Sequence, residues 1–137
     1  MGARAKRPLR ALLAVAMITM GVLHFVAVDD FARVVPPYLP MPRLLVWISG
    51  VAEIAGGVGL LVERVRAAAG VGLVLLYLAV FPANIHMALH DVPLGGEVPA
   101  RWIVWARLPF QALFIVWAWW CSRPDLPAPT ATSGSRA

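Results

Sequence analysis

Charge is scarce in this sequence. Only 14% of its 137 residues are Asp, Glu, Lys or Arg, where a water-soluble domain usually carries about 25%. A wetted surface of ordinary kind is therefore excluded. Cysteine is scarcer still. The single Cys121 excludes an internal disulfide or a dithiol pair, and its place beside Trp119 and Trp120 reads as small apolar filler. The excess of positive charge does not form a basic stripe interleaved with aromatics, so no nucleic-acid partner is expected.

The residues that are present gather into long apolar runs, with the charges confined to short bursts between them. A helix crossing about 30 Å of hydrocarbon needs about 20 mostly apolar residues. Four windows meet that length, at about 11–28, 44–62, 67–89 and 102–121. The fold expected is all-α, a transmembrane four-helix bundle whose short connections make successive helices antiparallel. The basic segment 1–10 precedes the bundle and 11–121 forms it. The first run is too long for a signal-peptide core and lacks a clean cleavage site, so it is read as a retained anchor. The Pro-, Ala-, Thr- and Ser-rich tail, 122–137, reads as disordered.

Lys and Arg divide eight to three between the two sides of such a bundle, with Arg107 inside the fourth span counted on neither. Basic residues favour the cytoplasmic side, so both termini are predicted cytoplasmic and the protein is placed in a plasma or inner membrane. Trp47, Trp102 and Trp105 then belt the outer interface, and Trp117, Trp119 and Trp120 the inner one. In the outer loop, Phe31, Val34, Val35 and Tyr38 follow a helical spacing behind Asp29 and Asp30 as candidate caps. Pro36, Pro37, Pro40 and Pro42 keep that helix short. An amphipathic segment in the interface and a rigid lid-like stretch, or an ordinary connector, are the two readings.

Polar groups within a span are costly and tend to face the bundle interior. Here they are His24, Glu53, Asn84, Arg107 and Gln111, with His86 and His90 at the rim. His24, Asn84 and Arg107 lie about 6–8 Å below the outer boundary at 1.5 Å per residue. Glu53 shares a face with Gly50, Gly56 and Gly57, which allow close helix approach. Pro82 and Pro109 interrupt the ladders of the third and fourth spans and invite kinks that open small cavities. A central Arg costs about 2.5–3.5 kcal/mol on insertion scales, nearly cancelling what the apolar residues of its helix return. Glu53, the only acid inside a span, is the counter-charge expected for Arg107. The pair reads either as a structural ion pair or as part of a pocket for a quinone-like headgroup. Haem ligation by His24 and His86 is disfavoured because His86 and Asn84 cannot both point inward. No metal site and no cofactor is evident.

The succession Gly21-Val-Leu-His24-Phe25, Val35-Pro36-Pro37-Tyr38-Leu39-Pro40 and Ser49-Gly50-Val-Ala-Glu53-Ile-Ala-Gly56-Gly57 resembles the DoxX-like family of small membrane proteins. Val80-Phe81-Pro82-Ala83-Asn84-Ile85-His86-Met87-Ala88 and Arg107-Leu108-Pro109-Phe110-Gln111 continue the resemblance, which spans roughly 9–120. It implies a compact four-helix bundle and a setting beside membrane-linked sulfur, quinone or thiol redox systems. The chain is then expected to be a non-catalytic subunit or partner of such a system, with the lipid bilayer and a redox protein as its partners. Small-molecule or ion permeation through the Glu, Arg and His set is the alternative, opposed by an apolar inner half and by the lack of an inverted repeat. No catalytic residue is assigned.

Overall fold

The computed structural model describes residues 3–124, with side chains from Lys6 onward. The chain forms helices α1 (Ala3–Val26), α2 (Val28–Val34), α3 (Pro42–Leu61), α4 (Arg66–Leu89) and α5 (Arg101–Ser122). Stretches 6–26, 42–61, 66–89 and 101–122 of α1, α3, α4 and α5 are long and apolar enough to cross a membrane. All four fall within a few residues of the runs read from the sequence. The tail expected to be disordered lies outside the described residues from 125 onward, although Ser122 is helical and buried.

Most large apolar side chains on these helices point outward, as a hydrocarbon solvent permits; Val15, Leu75, Leu113 and Val116 are examples. Interior packing therefore depends on close backbone approach more than on apolar burial. The helices pack in the order α1–α3–α4–α5, and α1 meets α5 only sparsely. Along the α1–α3 seam, a Cβ on Gly21 would lie 2.6 Å from the Gly50 carbonyl oxygen, and one on Gly50 would lie 2.9 Å from Cβ of His24. Glycine at both positions lets the two backbones touch.

Two apolar clusters fill the interior. Near the termini, Leu13, Met17, Leu60, Leu73, Tyr77, Ala118 and Cys121 pack together. At the distal end, Val34, Met87, Val92 and Val104 form the second cluster. Here α2 folds onto the bundle, and the α4–α5 connection turns at Gly95 and Gly96, both with positive φ, so that Leu94 and Glu97 pair. The helix in the outer loop is α2, which takes in Phe31 and Val34 of the expected spacing but ends before Val35 and Tyr38. Its acids do not cap it. Asp29 pairs with Arg43 at 2.7 Å and Asp30 with Arg33 at 3.4 Å.

The basic segment 1–10 departs from its reading as a flank outside the bundle. Helix α1 already begins at Ala3, and Lys6 and Arg10 are buried. Lys6 Nζ donates to the carbonyls of Arg123 (2.7 Å) and Pro124 (3.2 Å), and Arg10 Nε donates to that of Cys121 at 2.9 Å. The last carbonyls of a helix lack intrahelical partners and carry partial negative charge, which Arg10 satisfies at Cys121, while Lys6 holds the two carbonyls just beyond the end of α5. Of the three tryptophans near the end of α5, Trp117 and Trp120 pack against the core cluster, while Trp119 stays exposed under the Arg123 guanidinium.

Candidate functional site

Lys6 and Arg10 tie α1 to α5 at the terminal end, and toward the distal end the seam between these helices opens. The opening is a cavity of about 570 Å³, within the size range of small-ligand pockets. Met20 and Leu23 of α1, Phe31 and Val34 of α2, Val80 and Ala83 of α4, Ile103 of α5 and Leu94 of the distal turn make it largely apolar. Asn84, Arg107 and Asp30 are its polar wall. The cavity lies in the distal half of the bundle, and its lining is chiefly hydrophobic.

The residues singled out from the sequence divide into three groups. Asn84 and Arg107 reach the cavity. Asn84 Nδ2 donates to Gln111 Oε1 at 2.7 Å, and Gln111 Nε2 donates in turn to the Tyr77 carbonyl. This chain joins α4 to α5 and fixes the amide of Asn84 at the cavity wall. The acceptor is not the Leu78 carbonyl that Pro82 deprives of its usual donor, but that of the residue before it. Both Pro82 and Pro109 lie within helices that run on without a break.

His24 and Glu53 form the second group. Nδ1 of His24 lies 2.8 Å from the Met20 carbonyl and 3.1 Å from Glu53 Oε2. A carbonyl oxygen can only accept, so Nδ1 carries a proton. That proton is directed at Met20, and the buried Oε2 of Glu53 makes no well-aligned hydrogen bond. The contact with Glu53 is thus an electrostatic one. The ring of His24 stacks on Phe31 at 4.2 Å between centroids, and Phe31 separates the pair from the cavity it lines.

The ion pair expected between Glu53 and Arg107 is not formed. Arg107 Nη1 instead donates weakly to Met87 Sδ at 3.6 Å, and no carboxylate of the described residues lies within ion-pair distance of it. The reason is the order of the helices: α3 packs between α1 and α4, and Glu53 meets its neighbour's histidine rather than the arginine on α5. Asp30 shares the cavity wall with Arg107 and escaped the sequence reading, which assigned it to helix capping. Its position one turn before Val34 on the amphipathic segment was the available signal.

His86 and His90 form the third group. Their rings meet at 4.2 Å, and His90 Nδ1 lies 2.9 Å from the His86 carbonyl. Neither histidine lines the cavity. Among the described residues no three His, Cys, Asp or Glu side chains converge as a metal site.

A family model matches residues 13–122, most of the chain, from within α1 to the end of α5. The chain belongs to DUF8561, a domain of unknown function. No curated protein and no solved structure matches it.

Proposed function

We propose that this DUF8561 protein binds a lipophilic ligand with a polar head, of quinone-like chemistry, in the cavity between α1, α2, α4 and α5. The observation that carries the reading is the lining: an apolar chamber within a membrane-spanning bundle, with an arginine at its wall that has no carboxylate partner among the described residues. A guanidinium has five N–H donors, and Met87 sulfur occupies one of them weakly. A carbonyl-bearing head would accept from Arg107, with Asn84 beside it, while an isoprenoid-like tail would lie against Leu23, Val80 and Ile103. Exchange with the bilayer would run through the α1–α5 seam.

The redox setting comes from the resemblance to DoxX-like proteins and belongs to the same proposal. In it, the chain is a non-catalytic subunit of a quinone-, sulfur- or thiol-linked system in a plasma or inner membrane, with both termini cytoplasmic. Permeation is the less favoured reading, since the cluster around Leu13, Leu60 and Leu73 closes the terminal half of the interior. Organic extraction of protein purified in mild detergent tests the ligand: near-stoichiometric quinone is expected, and only phospholipid would oppose the proposal. Co-purification of a redox-cofactor-bearing membrane protein is the matching expectation for the partner.

A further inference from the structure

At the opposite end of the molecule lies a second cavity, of about 300 Å³, with a different chemistry. Arg7 and Arg10 from the start of α1, Leu61 at the end of α3, Glu63 from the connection after it and Arg66 at the start of α4 line it. Three arginines and one glutamate thus line one small space. Arg10 is held by the Cys121 carbonyl, and Arg66 Nε donates to the Leu60 carbonyl at 3.1 Å, so two of the cations are fixed in place by helix ends. Glu63 forms no ion pair with Arg7 or Arg66, although all three line the cavity.

Depth decides what can reach it. The membrane-crossing stretches begin at Lys6 and Arg66 and end at Leu61 at this end of the bundle. A 20-residue helix such as α3 spans about 30 Å, the thickness of the hydrocarbon core, so residues just beyond Leu61 stand among the headgroups. Arginine suits phosphate because its planar fork offers paired donors. A purely anionic headgroup would leave Glu63 facing like charge, whereas a headgroup with a phosphate and an ammonium answers both signs. We propose that this cleft binds the headgroup of an aminophospholipid, its phosphate diester held by Arg7 and Arg66 and its primary ammonium facing Glu63. Leu61 would give the glycerol backbone an apolar wall. This site is independent of the ligand in the distal cavity.

The test is thermal unfolding of the full chain, stripped of lipid in detergent, during titration with phosphatidylethanolamine, phosphatidylglycerol or inorganic phosphate. Phosphatidylethanolamine is expected to raise the melting temperature saturably and at lower concentration than phosphatidylglycerol, with inorganic phosphate inert. Arg7 and Glu63 are exposed and make no hydrogen bond among the described residues, so their variants should fold. Arg7→Gln should weaken phosphatidylethanolamine roughly tenfold, the scale of one charge-assisted hydrogen bond. Glu63→Gln should abolish the preference over phosphatidylglycerol. A shift reproduced by inorganic phosphate alone would overturn the lipid assignment. So would affinity unmoved by Arg7→Gln, or a preference unmoved by Glu63→Gln.

Discussion

Glu53 and Arg107 are the acid and the base that stand out inside the spans, and their separation in the bundle is a lesson about what single residues reveal. Their cost in hydrocarbon is legible from the sequence, because it depends only on side-chain chemistry and position along a helix. Their partners are not, because pairing depends on which helices touch. With α1 against α3, Glu53 lies 3.1 Å from His24, and Arg107 is left to Met87 and the cavity. Double-mutant cycles on thermal stability should therefore couple Glu53→Gln with His24→Gln by about 0.5–3 kcal/mol. Glu53→Gln and Arg107→Met should add to within about 0.5 kcal/mol, the behaviour of sites without a shared partner. The reverse pattern would restore the ion pair that the helix order rules against.

At the level of elements, the four long helices could be read from run length alone, a local signal, whereas the spacing read in the outer loop overran α2, since Val35 and Tyr38 lie beyond its end at Val34. Two features escaped that reading because they depend on contacts far apart in the chain. One is the extension of α1 to Ala3, secured by Lys6 and Arg10 against carbonyls more than 100 residues away. Arg10→Leu should destabilise the bundle by about 1.5–3 kcal/mol, the worth of a hydrogen bond to a charged group, measured by thermal or denaturant unfolding in detergent. The other is the depth of the α1–α3 contact. The sequence marked Gly50 as a site of close approach, but its partner Gly21 is known only once the two helices are set together. Gly50→Ala would press a methyl to 2.9 Å from the Gly21 carbonyl oxygen and from His24 Cβ. Overpacking of this kind costs about 1–3 kcal/mol. Gly72, where an added Cβ meets nothing within 4 Å, is the control: Gly72→Ala should leave stability unchanged or raise it.

For the whole molecule, the division of Lys and Arg carries an orientation, and reporter fusions at residue 137 and within 91–100 should report opposite sides, cytoplasmic for the former. The architecture also explains why a cavity exists where it does. The terminal end is tied shut across α1 and α5, the distal end is plugged by α2 and the Gly95–Gly96 turn, and the seam between opens onto Arg107 and Asn84. The sequence located most of the polar side chains but could not foresee that only two of its central five would reach the same chamber. Equilibrium binding of a short-chain quinone to the purified protein tests this account most directly, compared among wild type, Arg107→Met and Ala83→Trp. Saturable one-to-one binding is predicted, weakened about tenfold without the guanidinium and abolished when an indole fills the chamber of a still-folded bundle. Binding that is unchanged in both variants, or that never saturates, would contradict it.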